Sequence, residues 1–268
     1  MAEQADDFQT QLDAADEMLS QGEIEQAFIL LERLVDEYPD SADVALLMGD
    51  AEREWGDLDA ALESYDRAVE LEPDWATAIA ARAHCLVELG RMAEAQEDVD
   101  RALKLDSRCT EAHYVRAILL EFQHRYRQAD EAYRTVANLD PETFWVPLRV
   151  SRKTFDAAVR KAIARLPQRF RDRMEGVEVY VQDLPDLSAE GDVSPLVMGV
   201  FDGYSITERR ESDPWTQFPP RICLYQRNIE RVCATHQDLI EEIEITLLHE
   251  VGHYFGLEEE DLERIDLS

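Results

Sequence analysis

The chain has 268 residues, enough for two modest domains with separate cores. It carries 59 Asp and Glu against 27 Lys and Arg, and the net charge of −32 sets it against nucleic-acid backbones and anionic membranes. No stretch reaches the roughly eighteen uncharged apolar residues of a membrane span, and the opening MAEQADDFQT has neither a basic nor an apolar leader region, so a cytoplasmic location is expected.

The acidic excess is uneven: residues 1–150 hold 35 acidic and 13 basic side chains, residues 151–268 hold 24 and 14. Such a surface suits a salty cytosol or a basic partner equally. Cys85, Cys109, Cys223 and Cys233 form no CxxC pair, and reduced, partly buried thiols are expected.

From the N-terminus the dominant signal is a 34-residue period. Ala27, Ala61, Ala95 and Ala129 lie on it, as do Pro39, Pro73 and Pro141 with Ser107 in the remaining slot. Gly22, Gly56 and Gly90 form another series, with His124 as its fourth member. Leu31, Tyr65, Val99 and Tyr133 follow each alanine by four positions. Apolar spacing inside each unit is helical and the glycine falls between two helical segments, so each unit reads as a helical hairpin. The proline, which lacks a backbone donor, closes the second helix or opens the next.

This pattern resembles four tetratricopeptide repeats over residues 8–141, which implies an all-α superhelix whose concave face is lined by the first helix of each hairpin. By that resemblance the concave face includes Asp43, Leu46, Asp50, His84, Val87, Tyr114, Ile118 and Glu121. Its mixture of acidic and apolar groups suits a protein or peptide partner carrying basic and apolar residues.

Residues 142–150, with Pro147, read as a linker. SRKTFDAAVRKAIARL then reads as a helix stopped by Pro167. Nine basic residues lie between Arg149 and Arg173, opposed only by Asp156 and Asp172. This strip is either a solvated helix face or a surface that docks on the acidic repeats. VEVYVQD (177–183) alternates as a strand, and PLVMGVF (195–201) and RICLY (221–225) are further candidates.

Near the C-terminus, Ile240, Ile243, Leu247, Val251 and Phe255 recur at helical spacing from Gln237 to Phe255, with a capping-box signal at Thr235 and Asp238. His249-Glu250-Val251-Gly252-His253 sits on this helix. Residues four apart share a face, so both imidazoles can reach one tetrahedral metal ion, with Glu250 beside them as general base. Gly256 is placed to reverse the chain. A third ligand is expected from the acidic run after it. Glu259 is favoured by the spacing HExxHxxGxx(H/D/E), with Glu258, Glu260 and Asp261 as alternatives, because only 15 residues follow His253 and a distant second helix has no room.

The segment 151–268 resembles a bacterial family of compact zincin-like metallopeptidases through AIARLPQRF, VEVYV, GYSITERR, RICLY and HEVGHYFGLEEEDL. Ser205-Ile206 departs from the family's usual Pro-Leu, and Glu259 stands where an aspartate is common. The resemblance implies an α+β zincin-like domain, one zinc ion on His249, His253 and Glu259, and peptide hydrolysis with Glu250 as the base. The expected whole is a zinc metallopeptidase directed by a repeat domain. The alternative is a repeat-based adaptor with a structural or vestigial zinc domain.

Overall fold

The computed structural model describes residues 2–172, 174, 176–187, 194–203 and 220–257. The chain divides into two compact units, Met1–Phe144 and Trp145–Ser268.

The first unit is built from antiparallel helical pairs: α1 (Ala2–Ser20) with α2 (Ile24–Glu37), α3 (Ala42–Trp55) with α4 (Leu58–Leu71), α5 (Ala76–Glu88) with α6 (Met92–Leu105), and α7 (Thr110–Phe122) with α8 (Tyr126–Leu139). The period maps directly onto packing. Ala27, Ala61, Ala95 and Ala129 are all buried, as are Leu31, Tyr65, Val99 and Tyr133. Close approach within a pair has a visible cause at Gly49, where an added Cβ would come within 2.7 Å of the Tyr65 ring. The turn slot is left-handed in each hairpin, and its fourth member, His124, is the one non-glycine residue with positive φ (57°) among the described residues. Its Nδ1 lies 3.0 Å from the Tyr126 hydroxyl.

The second unit opens with α9 (Arg152–Arg165) and the short α10 (Gln168–Arg171). Strands β1 (Glu178–Gln182), β2 (Gly199–Asp202) and β3 (Arg221–Tyr225) then form a sheet in the order β1-β3-β2, with β1 parallel and β2 antiparallel to β3. Val179 pairs with Ile222, and Gly199 with Leu224. Helices α11 (Gln226–Val232) and α12 (His236–Tyr254) complete the described part. One sheet face supplies Ile222 and Leu224 to a core shared with Phe155, Val159 and Ala162 of α9 and Leu239, Ile243, Leu247 and Val251 of α12. The four cysteines are free and buried, and no described helix is long and apolar enough to cross a membrane.

Three arginines of the basic strip find carboxylate partners inside their own unit. Arg149 pairs with Glu230 at 3.3 Å, Arg152 with Asp183 at 2.5 Å and Arg165 with Glu244 at 2.7 Å. The second strand is shorter than its sequence pattern suggests. Residues 195–197 precede β2 because the Pro195 and Val197 carbonyls accept from the Asn228 side chain instead of joining the ladder.

Candidate active site

α12 begins at the expected capping box. The Thr235 hydroxyl accepts from the backbone N–H of Gln237 and of Asp238, and the Asp238 carboxylate accepts from the Thr235 N–H at 2.9 Å. These hydrogen bonds, led by that from the Thr235 hydroxyl, hold the Asp238 carboxyl below its ordinary value of 3.8. The stripe from Leu239 to Val251 fixes the rotation of the helix against the core.

His249 and His253 converge on the same flank. Their Nε2 atoms lie 3.0 Å apart and their rings meet edge to face with centroids at 4.7 Å. Two nitrogens bound to one tetrahedral zinc at about 2.0–2.1 Å are separated by about 3.3 Å, so the pair needs only a small opening to share an ion. The helix end bears on the tautomer. Gly256 adopts φ 78°, the Leu257 N–H returns to the Gly252 carbonyl at 3.1 Å, and the Leu257 carbonyl is carried to 3.2 Å from His253 Nδ1. A carbonyl only accepts, so this contact suits the His253 tautomer with its proton on Nδ1, the one that leaves Nε2 to a ligand.

Among the described residues no group of three or more His, Cys, Asp or Glu side chains is arranged to hold a metal. The expected third ligand, Glu259, and its alternatives Glu258, Glu260 and Asp261 lie outside the described residues.

Glu250 is 5 % exposed and lies against β2. At Gly199 an added Cβ would stand 2.7 Å from Thr246 Cγ2, 3.0 Å from Glu250 Cγ and 3.1 Å from Glu250 Oε1. Only glycine lets the strand backbone come this near the acid. A lone glycine inside the strand pattern PLVMGVF was the available signal for that contact. Among the described strands β2 is one of the two edges of the sheet.

Tyr225, Arg221 and Tyr254 have the chemistry of an oxyanion donor. Tyr225 is hydrogen-bonded to Cys223, and its phenol is pushed up by burial, with Cys223 next and Glu250 contributing least of the causes, so it stays a donor at neutral pH. Arg221 pairs with Glu178 at 3.3 Å on the same strand pair. Tyr254 is buried against Phe201, with ring centroids 5.7 Å apart.

Helix α11 was not anticipated from sequence, yet it is the polar hub of this unit. Asn228 and Glu230 are each 1 % exposed, and Gln226 and Arg231 are also buried. Glu230 accepts from Arg149, from the Val150 N–H at 3.1 Å and from Gln226 Nε2 at 2.7 Å.

In the first unit, the expected concave-face residues separate into two groups. Asp43 is exposed and Leu46 half-buried. The Asp50 carboxylate accepts from the Tyr65 hydroxyl at 2.7 Å, and burial raises its pKa. His84 lies 2.9 Å from Glu111 and 3.6 Å from Glu88, with Tyr114 edge-on at 5.7 Å. Val87, Ile118 and Glu121 differ from expectation: all three are 0 % exposed, with Glu121 accepting from the Tyr133 hydroxyl at 3.0 Å, so packing takes them out of a solvent-facing groove. Arg53, bound to Glu54 at 2.7 Å and Glu88 at 3.2 Å, joins this polar cluster and was missed.

Comparison with known proteins adds family information. Residues 174–268 match the model of a zincin-like metallopeptidase, and residues 12–75 and 53–119 match two tetratricopeptide-repeat models. No curated protein matches the chain. Among solved structures, the TPR domain of Arabidopsis OM64 is 26 % identical over 38 % of this chain and 84 % of its own, with a TM-score of 0.35. MamA from AMB-1 is 20 % identical over 50 % of this chain and 73 % of its own, at 0.40. A tetratricopeptide repeat protein from Parabacteroides merdae is 17 % identical over 50 % and 53 %, at 0.42.

Proposed function

From a chain that joins tetratricopeptide repeats (12–119) to a zincin-like metallopeptidase domain (174–268), we propose a zinc-dependent peptidase whose repeats hold a protein partner or substrate. The observation that carries this reading is the convergence of the His249 and His253 Nε2 atoms to 3.0 Å on the flank of α12 that also bears the buried Glu250.

His249 and His253, with Glu259 as third ligand, are the residues that would hold the ion. When bound, zinc supplies Lewis acidity toward the scissile carbonyl and the attacking water. The remaining work falls to the protein. Glu250 takes a proton from the attacking water and returns it to the leaving nitrogen. Its burial keeps competing solvent away, and the β2 edge offers backbone groups to an extended substrate beside it. In the repeats, Asp50, Glu88 and Glu111 give the cluster around Arg53 and His84 an acidic excess, and Asp43 lies exposed on the same helix as Asp50, which favours partners rich in Lys and Arg.

The experiment is to measure bound metal and cleavage of a diverse peptide pool by the protein and its Glu250→Gln variant. Loss of the base should slow turnover by about a hundredfold to ten-thousandfold with metal content unchanged. In the same pool, basic peptides should be preferred, and Asp43→Lys should narrow that preference. Equal cleavage by both proteins, or none by either, would return the chain to an adaptor role.

A further inference from the structure

Helix α11 ties the segment that leads into β2. Asn228, 1 % exposed, donates through Nδ2 to the Pro195 carbonyl at 2.8 Å and the Val197 carbonyl at 2.6 Å. Its Oδ1 accepts from Arg231 Nη2 at 2.9 Å. Both donors and the acceptor are therefore committed, and only a carboxamide in this orientation meets all three partners. An aspartate would turn lone pairs toward two carbonyls, and an alanine would strand them in a buried site.

The segment is further fixed at Met198, whose carbonyl accepts from the Tyr225 N–H at 2.8 Å, and at a turn where the Leu196 N–H donates to the Ser194 hydroxyl at 3.3 Å. The next residue is Gly199. Its backbone lies so close to α12 that a Cβ would overlap Thr246 and crowd Glu250. The depth of β2 over the acid is thus set from one side by the Asn228 carboxamide and from the other by the missing side chain at 199.

We propose that Asn228 is a positioning residue for the peptidase site: it holds β2 at the depth where the Gly199 backbone fixes the Glu250 side chain. This rests on the peptidase reading above. Asn228 touches neither substrate nor ion; it acts through the strand. The geometry ties it to Glu250 rather than to the histidines, so its loss should affect turnover and leave metal content intact.

The test compares the full-length protein with Asn228→Ala, Gly199→Ala and the double variant. In Asn228→Ala, kcat should fall at least tenfold, KM should change less than threefold, and bound metal should be unchanged. Hydrogen exchange at 197–202 should rise at least tenfold while that of 239–247 in α12 stays within twofold. The two substitutions act on one gap, so their combined loss in kcat should be smaller than the product of the single losses; a general destabilisation would give the product. Gly199→Ala approaches the gap from the other side and decides the matter if Asn228→Ala does not fold, a tenfold loss of kcat with metal retained supporting the proposal and wild-type kcat overturning it.

Wild-type kcat in Asn228→Ala, multiplicative losses in the double variant, or unchanged exchange at 197–202 would each overturn the proposal. If Glu250→Gln cleaves as well as the wild type, or neither cleaves, the peptidase reading has failed on its own. The exchange comparison then decides whether Asn228 sets the strand.

Discussion

Removing Glu230 should unfold the second unit far more readily than its place on a seven-residue helix suggests. The carboxylate is 1 % exposed and holds Arg149 at 3.3 Å, the Val150 N–H at 3.1 Å and Gln226 Nε2 at 2.7 Å. Glu230→Ala removes the acceptor of two neutral donor hydrogens, at about 1 kcal/mol each, and one charged contact of the Arg149 guanidinium, at about 1.5–3 kcal/mol. Arg149 keeps 20 % of its side chain exposed, so water recovers part of the last contribution. The total is about 3–4 kcal/mol, within the cost of breaking a buried pair. Glu230→Gln keeps an oxygen for Val150 and Gln226 and loses only the charged contact, about 1–1.5 kcal/mol. Native-state hydrogen exchange at Ile222 and Leu224, both buried in β3, reads these numbers directly. Protection should fall by about two to three decades in the alanine variant and about one in the glutamine variant, at about 1.4 kcal/mol per decade. Equal losses in the two variants, or less than about 1 kcal/mol for alanine, would refute the assignment of α11 as the hub of the unit.

Two further outcomes are expected. The Asp238 carboxyl is held below its ordinary 3.8 by the Thr235 hydroxyl and backbone, so the stability it contributes is complete above that value and is lost as the pH falls through its lowered folded value; melting curves between pH 2 and 6 should show this loss, and Asp238→Asn should lack that component. Stripping metal with a chelator should abolish peptide cleavage while leaving the far-UV circular dichroism and the protection of 239–247 intact at low temperature, and a collapse of α12 on chelation would contradict the packing described above.

The repeat unit was legible because its information is local and repeated. Ala61 and Tyr65, or Ala129 and Tyr133, occupy the same packed positions in successive hairpins, so each reading supports the next. Even the irregular His124 fell on the correct slot and takes the left-handed turn itself. The motif helix was legible for a similar reason, as one face carries the stripe and another the histidines. Helix α11 was not, since Gln226, Asn228, Glu230 and Arg231 are polar residues whose burial depends on Val150, Pro195 and Val197, distant in sequence. The start expected at Pro195 for the second strand was too early for the same reason: residues 195–197 look extended and apolar, but the Pro195 and Val197 carbonyls are claimed by a side chain from α11.

The histidine pair owes its geometry to the core before any ion arrives. Leu239, Ile243, Leu247 and Val251 are buried together against α9 and the sheet. At about 1.5–3 kcal/mol for each buried aliphatic side chain, they resist rotation of α12 with roughly 6–12 kcal/mol. Turning the helix by one residue, about 100°, would bring Glu250 or Gly252, depending on the direction, toward the core in place of Val251, so the rotation that seats the stripe also sets the flank on which His249 and His253 lie. The Gly256 turn then brings the Leu257 carbonyl to the Nδ1 side of His253 and leaves Nε2 on the side of His249. A purely structural zinc site spends the ion's binding energy on folding. Here folding has already oriented two nitrogens, so in the proposed peptidase the ion's binding energy is left for chemistry.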